Sequence, residues 1–128
     1  MPQSKPYSLP KQERLSSLSA VRRLFADGKS GFVFPFRYMT LTENSTSPSV
    51  EVLFSVPKRN HKRANKRNLL RRRTKEAFRL SKGVLHTFAE AEGVNVDIAF
   101  VYSSKELLSY NTIAHAVRKI MAEVVEHR

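Results

Sequence analysis

The sequence has no cysteine and only four glycines among its 128 residues. Without cysteine, disulfides and thiolate metal sites are excluded, and nothing opposes a reducing compartment. With so few glycines there is no Gly-rich phosphate-binding loop. No apolar run approaches the ~20 residues a membrane span requires, and the opening MPQSKPYSLPKQERL lacks the apolar core of a signal peptide. A cytoplasmic location with no membrane partner is the expectation. Internal repeats and long low-complexity tracts are also missing.

Acidic residues are the other scarcity, eleven against 23 Lys and Arg, for a net charge of +12. The imbalance is local. From Lys58 to Lys82 there are twelve Lys or Arg and a single acid, Glu76, so this stretch carries +11 and everything else carries +1. A near-neutral small domain with one concentrated cationic element calls for a partner of dense negative charge, and nucleic acid fits that description.

The length predicts one domain around one core. Residues 1–12 hold Pro2, Pro6 and Pro10 and little to bury, and read as an extended arm ahead of a single domain over 13–128. A short helix follows, capped by Ser16 or Ser17, with Leu18, Val21, Leu24 and Phe25 as its stripe and Gly28 at its end. A strand is expected at about 36–42, with Pro35 at its start or edge. The polar segment 43–49 has the length of a hairpin turn. A second strand over 50–56 alternates Val50, Val52, Phe54 and Val56 against Glu51, Leu53 and Ser55. A basic loop at 60–65 leads into a helix at about 66–81, which residues 84–91 extend or follow. A third strand spans 94–102. The last helix buries Ile113, Ala116, Val117, Ile120, Met121 and Val124, with His115 on or beside that face. The order is α-β-β-α-β-α, an α+β class, single-domain α-β sandwich.

At 100° per residue, the basic helix places Leu69, Leu70, Thr74, Ala77 and Leu80 on one side and Arg67, Asn68, Arg71, Arg72, Lys75 and Arg79 on the other. Phe78 falls at the border, and Lys66 and Arg73 fall toward the apolar side, where long stems snorkel. A solvated helix face needs acids at i+4 to relieve repulsion, and only Glu76 is available. The basic face therefore reads as a track for phosphates, with steeply salt-dependent binding. Arginine supplies a planar fork, and Asn68 can reach a base edge or a 2′-hydroxyl.

Protein-borne catalysis has little to work with. His61, His86, His115 and His127 are scattered, and Glu51 and Asp97 are a lone pair of acids on neighbouring strands.

The string from Ser55-Val56-Pro57-Lys58-Arg59 to Lys66-Arg-Asn-Leu-Leu-Arg-Arg-Arg-Thr-Lys-Glu-Ala-Phe-Arg79 resembles the signature of the protein subunit of bacterial ribonuclease P. In that family a strand ending Ser-Val-x-Lys-Lys/Arg precedes Arg-Asn-Arg-x-Lys-Arg-x-x-Arg-Glu-Ala-Phe. Ser55, Val56, Lys58 and Arg59 match the first part, and Arg67, Asn68, Arg71, Arg72, Lys75, Glu76, Ala77 and Phe78 the second. Leu69 departs from the third position of the Arg-Asn-Arg trio, and the loop before Arg67 is slightly longer and more basic.

The resemblance implies a ribosomal-protein-S5-domain-2-like fold, with the basic helix in an unusual left-handed crossover between parallel strands. It implies a subunit of an endoribonuclease whose chemistry belongs to a catalytic RNA, and whose Mg2+ is held mainly by that RNA. The implied partners are the catalytic RNA and precursor tRNA, whose 5′ leader is removed; no obligate protein partner is expected. Arg67, Asn68, Arg71, Arg72, Lys75 and Arg79, extended by Lys58, Arg59, Lys62, Arg63 and Lys66, would bind the catalytic RNA. A cleft between the first helix and the sheet would take the leader. Its candidates are Phe25, Val21, Ser55 and one face of the first strand, either Phe36 and Tyr38 or Arg37 and Met39. The rival readings are a structural or ribosomal RNA-binding protein and an electrostatic DNA-binding module; no paired recognition helix supports the latter.

Overall fold

The computed structural model describes Leu15 and residues 17–126. The arm expected at residues 1–12 lies outside the described residues. Eight elements follow in order: α1 (Leu18–Asp27), β1 (Lys29–Val33), β2 (Phe36–Asn44), β3 (Ser49–Ser55), α2 (Ala64–Ser81), α3 (Gly83–Glu92), β4 (Val94–Tyr102) and α4 (Tyr110–Glu126). The expected α-β-β-α-β-α succession is present, with two additions. Gly31 to Val33, outside the strand expected at about 36–42, belongs to a strand of its own, joined to β2 through a turn at the cis Phe34–Pro35 bond. The segment after the basic helix is a separate helix, which ends where Gly93 takes up φ 64°, a left-handed conformation that costs other side chains energy.

The sheet order is β1-β2-β4-β3. The turn at 43–49 therefore does not close a hairpin between neighbours. β4 is inserted between β2 and β3, antiparallel to the first and parallel to the second. The reason is burial: seven of the nine residues of β4 are buried, so it gains most from the centre, covered on both faces. The crossover from β3 to β4 is the path taken by α2 and α3.

One face of the sheet carries Phe36, Val50, Val52, Val96, Ile98, Phe100 and Tyr102 against α2, α3 and α4. Edge-to-face rings tie α2 to this face, with Phe78 5.7 Å from Phe54 and 5.9 Å from Phe100. Helix α1 covers part of the other face, where Leu15, Leu24 and Ala99 are buried with Ala20, Val21, Met39, Leu41 and Leu53 around them. Ser17 caps α1 by accepting from the Ala20 N–H, as its residue type suggests. Leu15 N–H donates to the Val52 carbonyl at 2.8 Å, which holds the entry to α1 against β3.

Candidate nucleic-acid interface

The basic helix ends at Ser81 as expected but begins at Ala64, two residues inside the expected loop, and is rotated relative to the expected face. Leu70, Thr74, Ala77 and Phe78 are the buried residues of α2. Phe78, placed at the border by sequence, is fully buried, while Leu80, expected in the core, is 47% exposed. Phe78 wins the core position because it is the larger apolar group and meets two rings of the sheet. The consequence is that Asn68 and Arg72 are exposed, whereas Arg67, Arg71, Lys75 and Arg79 are half-buried along the rim.

The rim residues have local partners. Arg67 Nη1 donates to the carbonyls of His61 and Lys62 at 2.9 and 2.7 Å, and so fastens the loop before the helix to its first turns. Arg71 donates to the Asn68 side-chain oxygen at 3.3 Å. Arg79 forms an ion pair with Glu76, whose carboxyl is held below its usual range by that guanidinium. Arg73 turns away from the basic face and donates to the Leu108 carbonyl, as its position toward the apolar side foretells. Lys66 is half-buried.

Loop 57–63 has no helix or strand of its own, yet it is well anchored. Asn60 Nδ2 donates to the Tyr102 carbonyl at 3.3 Å, and His61 Nε2 donates to the Ser104 carbonyl at 2.8 Å. His61 is buried with its ring edge-on to Tyr102. With these two uncharged residues turned inward, Lys58, Arg59, Lys62 and Arg63 all point to solvent. The anchors were not found from sequence, where His61 is one of four scattered histidines; the signal available was two uncharged polar residues inside a run of cations.

Beside this loop lies a trough on the α1 face of the sheet. Register places Phe32 opposite Arg37, Arg37 opposite Val101, and Val101 opposite Ser55, in one row across all four strands. The next row, Met39, Ala99 and Leu53, lies under α1. Arg23, on one flank of α1, pairs with Glu43 at 2.8 Å, and Glu43 sits toward the far end of β2. The opposite flank of the helix carries Val21 and Phe25, so it overlooks the Phe32–Arg37–Val101–Ser55 row. Val21 is half-buried against the small core under α1, and Phe25 is 44% exposed.

This settles the face left open by the alternation. Arg37, Met39 and Ser55 share the α1 side. Phe36 and Tyr38 do not: Phe36 is 1% exposed in the main core, and Tyr38 donates to Glu123 of α4 at 2.7 Å. Both are core-face residues because register pairs them with Tyr102 and Phe100 of β4, which line the main core, and the expectation that they face a cleft beside α1 is corrected. Burial, the hydrogen bond to Glu123 and its charge push the Tyr38 hydroxyl up to about 12.

Charge on the α1 face is polarised. Arg37, Lys58 and Arg59 mark the open end, whereas Glu43, Glu51 and Asp97 occupy the other. Asp97 is buried, and burial, with Glu51 across the strand and Glu43 adding to it against the opposing pull of Arg23, raises its carboxyl to about 6. Among the described residues no three His, Asp or Glu side chains are grouped to hold a metal ion. His115 is exposed, contrary to its expected place at the buried face. No helix among the described residues is long and apolar enough to cross a membrane.

Known proteins of the same build exist. The family model described as Ribonuclease P matches residues 9–125. The ribonuclease P protein component of Porphyromonas gingivalis is 32% identical over 120 residues, covering 92% of this chain and 87% of that protein. That of Chlorobium phaeobacteroides is 32% identical over 128 residues, covering 91% and 88%. Among solved structures, the Staphylococcus aureus RNase P protein aligns with a TM-score of 0.67 at 17% identity, covering 88% of this chain and 94% of that one. The RNase P protein from Thermotoga maritima aligns at 0.64 and 22% identity, covering 85% and 94%. The chain belongs to the ribonuclease P protein family, the protein component of an endoribonuclease that acts on tRNA precursors and whose catalysis is carried by RNA.

Proposed function

We propose that α2 and the anchored loop hold the catalytic RNA, and that the trough beside α1 receives the 5′ leader of precursor tRNA. The loop and α2 present Lys58, Arg59, Lys62, Arg63, Asn68 and Arg72 to solvent. Arg67, Arg71, Lys75 and Arg79 lie at the rim, and the Arg67 and Arg71 guanidinium groups each carry more N–H donors than the bonds to His61, Lys62 and Asn68 use. Such a surface follows the backbone of a folded RNA through phosphate contacts. The trough differs in character, combining Arg37 with Val21, Phe25, Met39 and the small Ser55, a mixture of charge, apolar wall and low relief suited to a single strand.

The observation that carries the reading is the sharing of one end of the sheet by the two surfaces. β3 runs from the row at Ser55 directly into Lys58 and Arg59, so a leader in the trough leads straight to the RNA held by the loop. Glu51 and Asp97 at the other end of the α1 face, where Glu43 is paired with Arg23, offer a polyanion no attraction and favour that one path. No protein side chain takes part in bond cleavage in this reading, and Mg2+ is held mainly by the RNA subunit.

The test is reconstitution with a bacterial ribonuclease P RNA and precursor tRNA at low magnesium. Stimulated cleavage is expected, with tighter binding of leader-bearing precursor than of mature tRNA. Phe25→Ala should remove part of that difference and leave mature tRNA binding unchanged. Equal losses for both substrates would show that Phe25 supports the fold and does not meet the leader.

A further inference from the structure

Two large aromatic side chains at the end of the β1–β2 hairpin have no place in either core: Phe32 is 59% exposed and Phe34 54% exposed. The same chain buries Phe36, Phe78 and Phe100 completely or nearly so, and adjacent exposed aromatics on a small domain mark a contact surface. Register says where Phe32 belongs. It is the cross-strand partner of Arg37, and so stands at the β1 end of the row that floors the trough. Its neighbour Val33 packs on the main core with Phe36, which turns Phe32 to the α1 side.

We propose that Phe32 is a stacking platform for a nucleobase of the leader at the end of the trough farthest from the basic loop, a proposal that rests on the leader reading above. From β3 to β1 the row crosses three strand spacings, about 14 Å. A single strand lying along the row crosses that span in a few nucleotides. The leader enters beside Ser55 and Lys58, passes Val101 and Arg37 under the Phe25 flank, and reaches Phe32 last. An aromatic face beside a guanidinium accepts any base, because stacking uses the π-face common to all four while the cation meets the phosphate. The charge of the row selects this occupant over a second copy of the chain. Its one charged member is Arg37, with Lys58 and Arg59 beyond Ser55, so a polyanion is attracted and an equally cationic copy is repelled.

The experiment compares the full chain and its Phe32→Ala, Phe32→Tyr and Phe25→Ala variants, each assembled with a bacterial ribonuclease P RNA, in binding precursor tRNAs whose leaders grow one nucleotide at a time. Phe32→Ala should weaken binding about tenfold once the leader is long enough to cross the row, and leave short-leader precursor and mature tRNA unaffected. Phe32→Tyr should restore the long-leader affinity. The loss for Phe25→Ala should begin at a shorter leader. If Phe32→Ala is neutral at every length while Phe25→Ala keeps its leader dependence, the platform is overturned and the trough stands. If neither variant depends on leader length, the trough reading itself falls. Sedimentation of the free proteins gives the last arm: a dimer that Phe32→Ala dissociates would make this face a self-contact, and would overturn the proposal too.

Discussion

His61 Nε2 donates to the Ser104 carbonyl at 2.8 Å, joining the middle of the basic loop to the segment just beyond β4. The bond links residues 43 apart in sequence and is buried. It explains how a run of like charges is held in one shape against its own repulsion: the tether is made by a side chain other than the lysines and arginines of the run, while Arg67 closes the loop from the other side.

Replacing His61 therefore has two expected effects. His61→Ala removes a buried hydrogen bond and an edge-on contact with Tyr102, and should cost about 2 kcal/mol in denaturant unfolding. It should also lower affinity for the catalytic RNA more than the loss of one neutral side chain warrants, because Lys58, Arg59, Lys62 and Arg63 lose their common frame. Unchanged RNA affinity in a destabilised variant would show that the loop keeps its shape without this tether.

The rotation of α2 separates its arginines by role. Arg72→Ala, at an exposed position, should leave stability within about 0.5 kcal/mol of the parent and reduce the slope of log affinity against log salt by about one. Arg73→Ala should do the reverse, because it loses the bond to the Leu108 carbonyl and lies off the exposed basic face of α2. Arg67→Ala should show both effects, since its guanidinium fastens the loop and stands at the face. Binding titrations at four salt concentrations, alongside urea unfolding, distinguish the three; equal slope changes at Arg72 and Arg73 would refute the face assignment.

How far the sequence reading reached depends on how local each signal was. β4 and α4 were legible almost to the residue, because Val96, Ile98, Phe100 and Tyr102 alternate and Ile113, Val117, Ile120 and Val124 repeat at helical spacing. The place of β4 between β2 and β3 was not legible, since pairing between residues as distant in sequence as Phe36 and Tyr102, or Ser55 and Val101, leaves no local mark. The face of α2 was read with an offset because Leu69 and Leu80 imitate core positions, and Phe78 outcompetes Leu80 only through rings on other strands. β1 escaped notice because it is short and its one aromatic, Phe32, is exposed, with Val33 half-buried. In the candidate site the cations were evident from charge alone, whereas their anchors, Asn60 and His61, act through backbone carbonyls no pattern reveals.

Asp97 gives a pH dependence of determinate sign. Its carboxyl titrates near 3.8 when unfolded and about 6 in the folded chain, chiefly through burial and then through Glu51. Between those values the folded state binds more protons than the unfolded one, so this group's contribution makes stability fall as pH rises from about 4 to about 6, and stay level above. The full effect is at most about 3 kcal/mol. Asp97→Asn keeps the shape and removes the titration. Thermal unfolding should therefore find the variant equal to the parent near pH 4 and several degrees more stable at pH 7.5. A difference that does not change with pH would mean that Asp97 is not the buried, proton-binding group described.

Gly31 and Tyr38 form a cross-strand pair whose logic is steric. A Cβ at Gly31 would come within 2.4 Å of the Tyr38 ring carbon Cζ and of its hydroxyl oxygen, so the ring lies flat across the bare glycine. That posture brings the hydroxyl to Glu123, 2.7 Å away on α4, and ties the edge hairpin to the last helix. Gly31→Ala must displace the ring, break this bond, and cost about 1–3 kcal/mol as an overpacked contact. Tyr38→Phe loses the bond alone, about 1 kcal/mol, and leaves the ring to clash. Tyr38→Leu removes both ring and bond, so adding Gly31→Ala to it should cost almost nothing. A cycle of these single and double variants, followed by urea unfolding, measures the coupling. If Gly31→Ala costs the same with and without the ring, then glycine serves the backbone of β1 and not the reach of Tyr38, and the hairpin that carries Phe32 is held to α4 by something else.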